Sequence, residues 1–131
     1  MPHLSFEYSQ GLHTHADLDA LAVTMRDALI ATGHCPVGGI RVRGFRADVN
    51  AVGDGAAEYH FLDMILRLGQ GRDNETRGNI ADQLYAAVEA ALRPQVKDIP
   101  FILSLEVQEI DNRFSRKSWS TIHAAIAEAK T

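Results

Sequence analysis

The feature that most constrains this chain is a change of hydrophobic period that occurs twice, in the same order. Pro2 to Tyr8 alternates, with Leu4, Phe6 and Tyr8 on one face and His3, Ser5 and Glu7 on the other. This is the pattern of a half-buried strand. Gln10 to His15 forms a connection, and Thr14-x-x-Asp17 is a helix-start signal. Leu18, Leu21, Met25, Ala28 and Leu29 then recur at helical spacing until Gly33 stops the helix. A second strand begins near Ile40, with Arg41 and Arg43 facing one way and Ile40 and Val42 the other. At Gly44 the phase flips, so that Phe45, Ala47 and Val49 alternate with Arg46, Asp48 and Asn50. A glycine at a phase flip predicts a bulge or bend.

The same succession follows again. Tyr59 to Leu68 is an apolar strand, Gly69 to Arg72 a glycine-bearing turn, and Asp73 or Asn74 a cap for a long helix. Ile80, Leu84, Val88, Ala91 and Leu92 mark its buried stripe, and Pro94 to Pro100 leads out of it. Phe101 to Ile110 alternates once more, and Ser118 to Ala129 reads as a short C-terminal helix. The expectation is one α/β (α+β) domain over 1–131, with pseudo-repeats at about 2–50 and 58–111 and a helix at about 118–129. A helix between two strands returns the chain parallel through a right-handed crossover. Two such units give a four-stranded sheet with two helices on one face. The opposite face needs a cover that no further long helix supplies, so association through it into a closed symmetric oligomer is expected.

Charge and cysteine content narrow the partners. The formal net charge is -4, which offers nothing global to nucleic acid or to an anionic membrane. Positive charge would have to act locally. Cys35, the single cysteine, cannot form an internal disulfide and sits beside Pro36, which fits a structural thiol in a reducing cytoplasm. No leader pattern and no membrane-length apolar run is present, so chain start and mature start should nearly coincide.

That places weight on Met1-Pro2. Methionine before a small residue is ordinarily trimmed, and trimming would expose the secondary amine of Pro2. An ordinary α-amino group titrates at roughly 7.7–8.0. Burial and neighbouring arginines both disfavour its protonated form, and a neutral amine near pH 7 is a competent general base. Arg41 and Arg43 share one face of a strand, while Arg72 precedes a helix N-terminus. Guanidinium groups bind carboxylates bidentately, so these arginines are either a local anion site or solvated surface charges. The histidines show no metal-ligand spacing beyond His13 and His15. His60, in an apolar strand, reads as a hydrogen-bonded core residue, and no metal is assigned. Gly69-x-Gly71 lacks the third glycine and the lysine of a nucleotide loop.

Taken in order, Met1-Pro2-His3, Ala16-Asp17-Leu18, Ala31-Thr32-Gly33, Gly39-Ile40-Arg41 with Arg43, Asp54-Gly55, Gly69 to Arg72, Ser104-Leu105-Glu106 and His123-Ala124 resemble the tautomerase superfamily. Within it, the chain resembles the 5-carboxymethyl-2-hydroxymuconate isomerase family over nearly its whole length. Leu68 to Arg72, leading into Asn74-Glu75, is also similar to the strand-to-helix turn of 4-oxalocrotonate tautomerase. The resemblance implies a cofactor-free isomerase, assembled as a homotrimer, in which Pro2 shuttles a proton. It implies that Arg41 and Arg72 bind the carboxylates of a small acid, with Arg43 in support. Two other readings stay open: a different enzyme of the superfamily (a phenylpyruvate-type tautomerase, hydratase or dehalogenase), or a non-catalytic trimeric binding protein. The segments Ala47 to Ala57 and Asn112 to Thr131 depart from the family pattern and could shape a substrate pocket.

Overall fold

The computed structural model describes residues 1–130, and Thr131, the last residue of the divergent tail, lies outside the described residues. Strand β1 spans His3–Tyr8, helix α1 Leu18–Ala31 and strand β2 Arg41–Arg46. Strand β3 (His60–Gly69), helix α2 (Asn74–Val96) and strand β4 (Phe101–Ile110) repeat the series, and helix α3 covers Ile122–Ala129. The sheet order is β2-β1-β3-β4. Each unit contributes a parallel pair, β1 with β2 and β3 with β4, and the two units meet through antiparallel β1 and β3. The expected doubled β-α-β architecture is therefore what forms.

The core lies between the sheet and the two long helices. Leu4 and Phe6 of β1 and Leu62, Met64, Leu66 and Leu68 of β3 point into it, every second residue as the pleat requires. Leu21, Met25 and Leu29 of α1 and Ile80, Leu84, Val88, Leu92 and Val96 of α2 close over them. Burying each large aliphatic side chain contributes about 1.5–3 kcal/mol, so this single layer holds the sheet and helices together. The other sheet face carries His3, Ser5, Arg41, Arg43, Asp63, Ile65, Arg67 and Ile102 in register and has no element packed across it among the described residues.

Four local expectations are revised. No bulge interrupts β2, whose pairing with β1 runs unbroken from His3↔Arg41 to Tyr8↔Arg46. Gly44 stands opposite Phe6, and a Cβ there would fall within the Phe6 ring, so the glycine makes room for an aromatic side chain. Helix α1 is capped by Asp17, which accepts from the Ala20 amide, while Thr14 Oγ1 donates back to the Gly11 carbonyl. Helix α2 carries on through Pro94 to Val96 because Val96 adds another buried side chain to its stripe. The C-terminal helix begins at Ile122 rather than Ser118. Ser120 Oγ bonds the His123 ring at 2.7 Å, and side-chain bonds of this kind compete with the helical backbone. Among the described residues, no helix is long and apolar enough to cross a membrane.

Candidate active site

The antiparallel meeting of β1 and β3 sets the start of the first unit beside the end of β3, where the chain turns toward α2. Met1 and Pro2 lodge there between two glycine turns. A Cβ on Gly39 would approach the Met1 sulfur at 2.9 Å and Pro2 Cδ at 3.6 Å. A Cβ on Gly69 would lie 3.5 Å from the Met1 nitrogen. Pro2 is buried, and its carbonyl accepts the Arg41 amide at 3.2 Å, which locks the first residues into the sheet.

The amine at the chain start is held below its ordinary range. Burial is the largest cause, followed by the nearby charges of Lys117 and Arg72. With Met1 in place, the Pro2 nitrogen is an amide and has no basicity. Removal of Met1 moves the free amine one residue inward, onto the buried proline.

Arg72 is fixed by backbone carbonyls. Its Nη2 and Nε reach the His34 carbonyl at 2.8 and 3.3 Å, and its Nη1 reaches the Gly69 carbonyl at 3.1 Å. A guanidinium has five N–H donors, so some remain for a ligand. Arg41 is half-buried and donates through Nη2 to His3 Nε2 at 2.9 Å. Arginine can only donate, so His3 Nε2 accepts and the ring proton lies on Nδ1. Both that Nδ1 and Arg41 Nε are buried without a partner among the described residues.

Two cavities open beside the chain start, of about 290 and 210 Å³, with Met1, Arg41 and Trp119 as shared walls. The smaller also touches His3, Gly69 and Lys117; the larger reaches Thr121 and Ile122 of the tail. Among the described residues, no acidic side chain lines either one. The structure thus gathers Pro2, Arg41 and Arg72 around one point, with Arg41 bordering the cavities and Arg72 acting on the amine from beside them. Arg43 is set apart: it pairs with Ser5, further along the strand, borders neither cavity, and its charge is felt at His3. The hollow of about 630 Å³ between α2 and β4 contains none of these groups.

Sequence reasoning passed over His3, Lys117 and Trp119. The basic pair Arg116-Lys117 beside the only tryptophan, in a stretch with no hydrophobic period, was the available signal. At the opposite end of the sheet, His60 is buried as expected, with Nδ1 bonded to Ser9 Oγ at 2.7 Å and Nε2 to Glu58 at 2.9 Å. His15, Glu58 and His60 bring ligand-type atoms within 4.8 Å of one another, but both His60 nitrogens are already engaged in these bonds.

Comparison with known proteins places nearly the whole chain in one family. The family model for 5-carboxymethyl-2-hydroxymuconate isomerase matches residues 2–126. A 5-carboxymethyl-2-hydroxymuconate Delta-isomerase from Escherichia coli is 30% identical over 124 residues, covering 95% of this chain and 98% of the relative. A crystal structure of a 5-carboxymethyl-2-hydroxymuconate isomerase from Deinococcus radiodurans R1 superposes with a TM-score of 0.86 at 28% identity, covering 95% of this chain and 93% of that one. A fused 4-OT described as a symmetric trimer shares the fold, with a TM-score of 0.66 at 14% identity over 93% of this chain and 98% of its own. Fold and sequence converge: the chain belongs to the 5-carboxymethyl-2-hydroxymuconate isomerase family.

Proposed function

We propose that this chain, once Met1 is removed, isomerises an unsaturated 2-hydroxy acid bearing several carboxylates, 5-carboxymethyl-2-hydroxymuconate in the degradation of aromatic compounds. The observation that carries the reading is the buried chain start, surrounded by Arg41, Arg72 and Lys117 and bordered by cavities without an acidic lining. The neutral Pro2 amine takes the proton of the substrate hydroxyl. The oxygen's electron pair forms the ketone, the conjugated double bonds shift, and the prolinium returns one proton to a distant carbon. Nothing is gained or lost overall.

The cations have two tasks in this scheme. Before binding, nearby positive charge favours the neutral form of the amine. During the proton transfer, Arg41 and Arg72 face the carboxylates and the negative charge developing on the oxygen, where fixed positive groups lower the barrier most. Arg43 serves only by tuning the field. Substrate carboxylates offset part of the positive field on binding, which favours the prolinium once it has formed. The reading extends to a homotrimer in which three open sheet faces pack together, and to a cytoplasmic setting for an enzyme with one free thiol.

Pro2→Ala is the decisive variant. The expected loss of isomerase turnover is about 10²–10⁴-fold with unchanged thermal unfolding, and the acid limb of wild-type kcat/KM should fall below that of a free α-amine. Activity unaffected by the substitution would sink the mechanism. Intact mass of the purified protein checks the condition that Met1 is absent. Ultraviolet assays on a panel of dienols and haloacrylates separate this activity from others on the same fold: comparable rates on all of them would remove the substrate assignment.

A further inference from the structure

The segment between β4 and α3 belongs to neither β-α-β unit, yet it builds one wall of the cavities. It is tied at both ends. The Asn112 amide donates to Gln70 Oε1 at 3.0 Å, and α3 packs its His123 ring against the Gly38 backbone. Two neighbouring cations of this wall behave differently. Arg116 turns back on its own loop, donating to the Arg113 and Ser115 carbonyls at 3.0 and 3.2 Å. Lys117 instead lines the smaller cavity together with Met1, His3 and Arg41.

Lys117, Arg41 and the chain start border one cavity, Arg72 lies close by, and no carboxylate side chain of the described residues lines that cavity, which leaves an unbalanced set of positive groups. The balance is restored by an anion bound among them. Arg41 and Arg72 already account for two carboxylates of a muconate-type chain. A third cation on a separate wall fits a third carboxylate, carried on a side branch. We infer that Lys117 is the specificity-determining residue that binds the branch carboxylate of a tricarboxylic substrate and so selects it over dicarboxylic analogues. This rests on the isomerase reading given above, and it adds which groups sort the substrates.

Trp119, the only tryptophan, stands on the rim of both cavities and is 90% exposed, so its emission reports on what enters. The experiment titrates trimmed wild-type protein, Lys117→Met and Lys117→Arg with propane-1,2,3-tricarboxylate and with glutarate, following that emission. Loss of a charge-assisted contact should weaken tricarboxylate binding by about tenfold or more in Lys117→Met. Glutarate binding should change by less than about twofold on the same scale, and Lys117→Arg should retain most of the preference. An unchanged preference in Lys117→Met, or an equal loss for both probes, overturns the inference. The outcome is independent of turnover. Selective loss in a protein without isomerase activity would overturn the functional reading alone, whereas an inactive Pro2→Ala beside an unaltered Lys117→Met would overturn this inference alone.

Discussion

His3 is held near a pKa of about 4, against an ordinary 6.5, by burial first and then by the charges of Arg41, Arg67 and Arg43. In the unfolded chain it takes up a proton near pH 6.5, in the folded chain only near 4. Between those values the unfolded state binds more protons, so folding stability should fall as pH drops from about 6.5 to about 4. Thermal unfolding measured across that window should show the slope in wild type and a weaker one in His3→Gln; identical slopes would contradict the assignment. His3 is also a positioning residue. Its Nε2 orients the Arg41 guanidinium, and His3→Leu should raise KM more than it lowers kcat. At this scale the sequence was partly legible. The proximity of Pro2 to Arg41 could be read because the chain start leads directly into β1 and β2 pairs with it in parallel. Lys117 was harder to read: the basic pair beside the tryptophan marks the segment, but a segment without period gives no hint of what it folds against.

At the scale of elements, period and capping chemistry predicted nearly every strand and helix, and the misreading at Gly44 has a definite cause. A phase flip is seen along one strand, whereas the reason for this glycine lies across the sheet, in the Phe6 ring. Gly44→Ala should therefore destabilise the fold by about 1–3 kcal/mol through overpacking. The same change on a Phe6→Leu background should cost distinctly less, and additive losses in chemical denaturation would refute the pairing. The two long helices start alike, with Asp17 accepting from the Ala20 amide at 3.0 Å and Asp73 from the Thr76 amide at 2.8 Å. Asp17→Ala and Asp73→Ala should each cost about 1 kcal/mol. Asp73→Ala should lower activity as well, because α2 begins just after Arg72.

For the whole molecule, the sheet has a covered face and an open one, and the open face mixes Ile65 and Ile102 with charged residues. If three copies close over it, sedimentation should give three times the 14.4 kDa chain mass. Ile65→Lys, at the middle of β3, should shift that equilibrium toward monomer and remove activity in parallel. A wild-type monomer of full activity would exclude the trimer. The need for a cover was legible in the alternation of the strands; which residues of a neighbour would supply it was not, because no local pattern encodes a partner's surface. The internal repeat has one more consequence. A doubled chain still has a single first residue, so only one of its halves can present a backbone amine. Where the second half begins, the nitrogen is tied into a peptide bond, and the Ser9–His60–Glu58 chain of hydrogen bonds occupies the neighbourhood. The halves therefore divide the labour. The first half holds the chain start, while the second contributes Arg72 and leads into the segment that walls the cavities.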